Sequence, residues 1–303
     1  MPIEAAIGQP KGVSAPVQRP LTSIIIPTYN DRDRVHVAIG SALQQERAAV
    51  EVIVVDDGST DGTVDRLAEV FPRDVALRVI SIQHGGPATA RNAGIEAARG
   101  EFVCFLDSDD TIEPTSVADR LAAMTPEVGF VVSDTRIVEP DGRAELASKR
   151  YGYEAKGVGG WIAEKLEAGN FIPIHAPLIR RSAIGDLRFE DRDLEDWHFW
   201  YALAKDHRCR YLPRALATYR KRAASRNATA RATPANRPGV VMPLRLNLGC
   251  GTPGALSWHP MPGLVNLDKS MGWRFEDGLR DFADESVAGI TVSHALMYVL
   301  DVN

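Results

Sequence analysis

Three carboxylates stand at the end of one apolar run: Phe102-Val103-Cys104-Phe105-Leu106 leads directly into Asp107-Ser108-Asp109-Asp110. Acids this close repel one another unless something positive lies between them, and a hard divalent ion with oxygen ligands is the usual candidate. The same four residues also suit a plain strand-ending turn, because Asp and Ser favour turns and helix caps. A second acidic group, Asp56-Asp57-Gly58-Ser59-Thr60-Asp61, follows the apolar stretch Val50–Val55. A third, Glu195-Asp196, stands immediately before Trp197-His198-Phe199-Trp200. Acids in a helix's first turn complement its dipole, so capping alone would account for this pair.

The elements that must carry these groups alternate regularly. Ser23–Pro27, Val50–Val55, Leu77–Ile82 and Phe102–Leu106 read as strands. Between them, helices run from about Val35 to Leu43, capped by Asp31 or Asp33, from Val64 to Val70, and through Ala90–Ala98, with Gly100 as the stop. Such alternation predicts an α/β fold with a mostly parallel sheet and flanking helices, its ligands at the carboxyl ends of the strands. Pro27-Thr28-Tyr29-Asn30 stands where a dinucleotide fold would carry Gly-x-Gly-x-x-Gly, so that reading is excluded for this half. Further on, Val128–Ser133 and Arg136–Val138 read as two strands, Pro140-Asp141-Gly142 as a hairpin turn, and Trp161–Ala168 as a short helix. Leu194–Leu203 has helical spacing, with Trp197, Phe199 and Trp200 as core. Lone histidines such as His84 and His175, in loops that could face an acceptor, read first as structural residues.

With 303 residues, 45% hydrophobic and 25% charged, the chain can bury a sizeable core, and its net charge of -5 carries no nucleic-acid signature. No apolar run is long enough to span a bilayer. Cys104, Cys209 and Cys250 lack paired metal-ligand spacing and read as reduced thiols of a cytoplasmic protein. From His207 to Leu267 there is no Asp or Glu, while ten Lys and Arg fall in that span. It reads as a solvated basic linker, or as a segment for peripheral contact with the inner membrane face.

Taken in order, Ile26-Pro27-Thr28-Tyr29-Asn30, Val55-Asp56-Asp57-Gly58-Ser59-Thr60-Asp61, Ala90-Arg91-Asn92-Ala93-Gly94, Phe105-Leu106-Asp107-Ser108-Asp109-Asp110 and Glu195-Asp196-Trp197 resemble the motif series of the family 2 glycosyltransferases of GT-A fold, over about residues 20–225. The resemblance implies an inverting transfer of a sugar from a nucleoside diphosphate, UDP by family habit, to a hydroxyl of a glycan or other acceptor. It implies that Pro27, Tyr29 and Asp57 hold the base, that Arg91 lies near the base or diphosphate, that Asp107 sits by the ribose, and that Thr28 and Ser108 also bind the nucleotide sugar. Asp107 and Asp109 would hold Mn or Mg, Asp110 would serve the turn, and Asp196 would be the general base, with Glu195 as the neighbouring alternative. Members often read Tyr-Arg-x-His after the base helix; Tyr219-Arg220-Lys221-Arg222 puts an arginine there, which cannot ligate metal but could clamp a diphosphate. That departure leaves a second reading open, a non-catalytic module that binds a nucleotide sugar within a larger bifunctional protein.

The expected organisation is a tail over 1–20, the GT-A domain over 21–222, a linker over 223–242 and a second α/β segment over 243–303. In that last segment Leu246-Asn247-Leu248-Gly249-Cys250-Gly251 resembles the first motif of class I S-adenosylmethionine-dependent methyltransferases, which implies Gly249, Gly251 and Asp268 as the nucleoside contacts, with Asp277 toward the adenine. Only about 60 residues carry this resemblance, so the segment is expected to be the start of a longer bifunctional protein or a remnant packed on the transferase. S-adenosylmethionine is not expected as a cofactor. Nothing in the sequence fixes an oligomeric state.

Overall fold

A computed structural model describes residues 19–72 and 76–222, together with the backbone of three short strands further on. The first half is the expected alternation: β1 (Leu21–Thr28), α1 (Val35–Leu43), β2 (Ala49–Asp56), α2 (Thr63–Val70), β3 (Leu77–Ser81), α3 (Gly86–Ala97) and β4 (Phe102–Phe105). These strands pair in parallel in the order β3-β2-β1-β4, and β1 is buried on both faces. That explains the unbroken Ile24-Ile25-Ile26: Ile25 enters the core under α3, while Ile24 and Ile26 enter the core under α1.

The second half follows as β5 (Thr111–Ile112), α4 (Ser116–Ala122), β6 (Val128–Val138), β7 (Ala144–Leu146), α5 (Ala147–Tyr151), α6 (Tyr153–Lys156), α7 (Ala163–Glu167), β8 (Pro177–Arg180), α8 (Arg181–Ile184), α9 (Glu195–Asp206) and β9 (Arg208–Arg220). It continues the same sheet as β4-β8-β6-β9-β5, with β7 added to β6. The β4–β8 and β8–β6 pairings are antiparallel, so the parallel half is joined to a mixed one at β4, whose end carries the three acids.

Several local expectations change. The two strands expected over 128–138 are one, because the polar interruption at Ser133-Asp134-Thr135 is absorbed by shifts in the β6–β9 register. Asp134 is satisfied there by the Thr135 N–H at 2.8 Å, the Ser148 N–H at 3.0 Å and the Ser148 hydroxyl. α1 begins without a side-chain cap; Asp31 supplies its backbone carbonyl to Arg34 and Val35, and its carboxylate turns to the site. Gly100 is not the stop of α3, which ends at Ala97 with Ala98 already extended. A Cβ at Gly100 would come within 2.6 Å of the Ser23 nitrogen, so the glycine lets the chain cross β1 closely. Gly94 has the same kind of reason: a Cβ there would lie 2.3 Å from Cγ2 of Ile25, where α3 packs on β1.

Residues 239–303 form a separate compact unit in which β10 (Arg245–Leu248), β11 (Leu264–Asn266) and β12 (Ile290–Val292) pair in parallel, β10 in the centre. Gly249, Gly251 and Asp268, and most of the expected linker over 223–242, lie outside the described residues.

Candidate active site

The acids after β4 do not share one environment. The turn closes with the Asp110 N–H on the Asp107 carbonyl at 3.1 Å, and each side chain then leaves in its own direction. Asp107 Oδ1 accepts from Arg91 Nη2 at 2.9 Å. The Ser108 hydroxyl donates to Asp31 Oδ2 at 2.5 Å. Asp109 Oδ2 is 2.5 Å from Arg222 Nε, and another nitrogen of that guanidinium lies 3.6 Å from Asp31. Burial raises the Asp109 pKa, Arg222 opposes the rise, and Asp107 adds to it. Asp110 is more than a turn residue: it is buried, accepts the Arg220 N–H at 2.8 Å, and faces His175 Nδ1 at 3.3 Å. Its carboxyl is pushed up to about 6, chiefly by burial, with His175 pulling the other way. His175 is accordingly a buried structural partner.

Arg91 joins this strand end to α9. Its side chain is only 6% exposed, bonded through Nη2 to Asp107 and through Nη1 to Glu195 Oε1 at 2.7 Å, over the ring of Phe189. Burial works against the charged guanidinium, but the two carboxylates outweigh it and hold Arg91 firmly protonated. Asn92, next in the same helix, exchanges two 2.8 Å bonds with the Phe189 backbone and so fixes the segment leading into Leu194. Leu194 has φ of 61° and starts α9 without a side-chain cap.

On α9 the two adjacent acids diverge. Glu195 is committed to Arg91. Asp196 accepts from Asn170 Nδ2 at 2.9 Å and from the Trp197 N–H at 2.8 Å. Its pKa is raised to about 6, first by burial and then by the charge of Glu195, with Arg91 opposing. Trp197, Phe199 and Trp200 are core, as their spacing implied.

Two clefts open on this region. The larger, about 710 Å³, contains Pro27, Thr28, Tyr29, Asp57, Ser108 and Asp109. The smaller, about 500 Å³, contains Asp196, Asn170, Tyr151 and the segment Phe171–His175. Arg91, Asp107, Leu194, Glu195, Tyr219 and Arg222 line both, and so form the wall at which the clefts meet. In the larger cleft Tyr29 is stacked on His84, with centroids 4.1 Å apart and planes 23° apart. Asp57 is buried beneath them; its oxygens accept from the Gly85 and Gly86 amides at 2.8 and 2.9 Å, and His84 Nδ1 is 2.9 Å away. Asp57 thereby holds the loop that presents the His84 ring.

The site residues expected from the sequence are thus gathered on this one edge, apart from the three beyond the described residues. Asp31, His84 and Asn170 were not among them. Asp31 looked like a helix cap and His84 a loop histidine, while Asn170 had no motif around it. The polar run Asp31-Arg32-Asp33-Arg34 right after Pro27–Asn30 was the available signal for the first.

The sequence profile described as Glycosyl transferase family 2 matches residues 23–187, more than half of the 303. The chain belongs to glycosyl transferase family 2. Among curated proteins it is 40% identical over 131 residues to the succinoglycan biosynthesis protein ExoO of Rhizobium meliloti, covering 41% of this chain and 36% of that one. Among solved structures it is similar to S. aureus TarS 1-349 in complex with UDP-GlcNAc, with a TM-score of 0.57 and 25% identity over 70% of this chain and 62% of that one. It is also similar to the mannosyltransferase PcManGT of Pyrobaculum calidifontis in complex with GDP-Man and Mn2+, with a TM-score of 0.55 and 26% identity over 70% and 60% of the two chains. The match thus spans about a third of the length of ExoO. The GT-A-type fold of these glycosyltransferases is the mixed sheet described above. Among the described residues no helix is long and apolar enough to cross a membrane.

Proposed function

We propose that this domain transfers a sugar from a nucleoside diphosphate to an acceptor hydroxyl with inversion, the donor in the larger cleft and the acceptor in the smaller. The observation that carries the reading is the shared wall: Asp107, Arg91, Glu195 and Arg222 line both clefts, while Asp196 lines only the smaller. The base of the donor stacks on Tyr29, against the loop held by Asp57, with Pro27 and Thr28 along its edge. Ser108 and Asp107 take the ribose, and the diphosphate lies toward Arg222.

Asp196, ionised above its pKa of about 6, accepts the acceptor proton as that oxygen attacks the anomeric carbon. One bond forms between the acceptor oxygen and the sugar, and the bond to the diphosphate breaks on the opposite side. Glu195 is the weaker choice for base, since its carboxylate is held by Arg91.

A divalent ion fits the donor set here. Asp107 and Asp109 are hard oxygen ligands of the kind Mg and Mn take, and such ions are commonly held by one or two carboxylates plus substrate phosphates. The ion would stabilise the charge that builds on the departing diphosphate. The Mn2+ complex of PcManGT supports this, and its GDP-Man together with the UDP-GlcNAc of TarS supports a nucleoside-diphosphate-sugar donor, for which UDP is our choice by family habit.

The test is release of nucleoside diphosphate from a panel of UDP- and GDP-sugars, with and without Mn, in the presence of glycan acceptors. Turnover of at least one donor supports the reading; binding of nucleotide without turnover of any donor would favour a binding module.

A further inference from the structure

The two carboxylates proposed for the metal are each paired with an arginine, and the two pairs differ in how firmly they are held. Arg91 on Asp107 is 6% exposed and bonded to a second acid, Glu195, so removing it from Asp107 would strand buried charge. Arg222 on Asp109 is 43% exposed. Its second acidic neighbour, Asp31, is 3.6 Å away and already engages Arg34 and the Ser108 hydroxyl. The backbone is anchored just before it, where the Lys221 N–H bonds Val138 at 2.9 Å, and the side chain reaches back over the strand-end acids from there. With Asp109 itself 20% exposed, this pair is half open to solvent and is held less firmly than the buried Arg91 bridge.

A guanidinium and a dication repel one another, and here they compete for one oxygen, Asp109 Oδ2, which Arg222 Nε already holds at 2.5 Å; Asp107 keeps its second oxygen clear of Arg91, which bonds only Oδ1. A diphosphate, in turn, offers the planar fork of arginine a bidentate partner at least as good as Asp109. Resting on the donor reading above, we infer that Arg222 is a resident counter-ion of Asp109 which a divalent cation must displace, and that an arriving diphosphate draws the guanidinium away and so opens Asp109 to the metal. Arginine in this position then does not abolish metal binding. It makes metal binding conditional on the nucleotide, and by linkage the coupling runs both ways.

The experiment measures Mn2+ binding to the full chain by electron paramagnetic resonance of the free ion, first without nucleotide and then with UDP. The proteins are wild type, Arg222→Gln, Arg222→Lys and Arg34→Gln. The last removes an equal charge next to Asp31 without touching Asp109, and so controls for general electrostatics. Without nucleotide, Arg222→Gln is expected to bind Mn2+ about tenfold more tightly than wild type. Arg222→Lys should stay near wild type, and Arg34→Gln should change by less than about threefold. Addition of UDP should strengthen Mn2+ binding more in wild type than in Arg222→Gln. Unchanged Mn2+ affinity in Arg222→Gln, or equal tightening in Arg34→Gln, overturns the inference. Failure of every protein to bind UDP would instead overturn the donor reading, while the nucleotide-free comparison still decides the role of Arg222. Melting curves of the four proteins establish that each is folded.

Discussion

Arg91 Nη1 lies 2.7 Å from Glu195 Oε1, across 104 residues of sequence, and this contact ties the larger cleft to the helix that carries Asp196. The same guanidinium holds Asp107, so one side chain ties together the strand end and the helix that the proposed reaction brings into play. Arg91→Gln should lower kcat/KM by at least about a hundredfold and destabilise the fold by about 2 kcal/mol or more, because two half-buried carboxylates lose their partner. Arg91→Lys should restore little activity, since an ammonium cannot bridge two carboxylates as a planar fork does. Steady-state kinetics and thermal melting of both variants check this.

The acid limb of the pH profile should belong to Asp196. A base must be deprotonated, so with a pKa of about 6 its active form is depleted as pH falls through that value. At subsaturating acceptor, kcat/KM should fall about tenfold per pH unit below 6 and level off above it. Glu195→Gln removes a nearby negative charge and releases Arg91 to act on Asp196; both changes lower the pKa, so the limb should move to lower pH. A limb that stays in place would assign it to another group.

The first half of the fold was legible in the sequence because its information is local. Each of β1 to β4 is a short apolar run ending in polar residues, and each helix between them has its own periodicity. β8 shows the opposite case: Pro177–Arg180 is inserted antiparallel between β4 and β6 by long-range pairing, which no local pattern announces. The site divides in the same way. Asp107, Asp109 and Asp196 stood out as candidates from motifs, and the fold brings them to one edge. The service of Asp31, Asn170 and His84 depends on neighbours dozens of residues away, such as Asp31 on Ser108 and Asn170 on Asp196. Gly100 was misread because a close approach to Ser23 and a helix stop both call for glycine, and only the packing distinguishes them.

Nucleotide affinity should depend on the stacked pair Tyr29 and His84. Tyr29→Ala is expected to weaken UDP binding by about 1–3 kcal/mol, the usual worth of a base on an aromatic face. Tyr29→Phe keeps that face and should bind within about twofold of wild type. Titration calorimetry with UDP measures both, and equal losses in the two variants would place the contribution in the hydroxyl.

Gly94→Ala tests the seating of α3. Its new methyl would lie 2.3 Å from Cγ2 of Ile25 in a packed core, so the helix must move. Overpacking of this kind typically destabilises by about 1–3 kcal/mol, read from a denaturant midpoint. Because Arg91 lies on that helix, transfer should fall further than stability alone accounts for.

The central claim is that Asp196 takes the acceptor proton from the smaller cleft while the donor is held independently in the larger one. It is tested most directly by Asp196→Asn, assayed for sugar transfer and for UDP binding on the same preparation. Transfer should drop by about a thousandfold, the scale of a lost general base, with UDP affinity within about threefold of wild type. Transfer at the wild-type rate, or UDP affinity lost in step with transfer, would contradict the account.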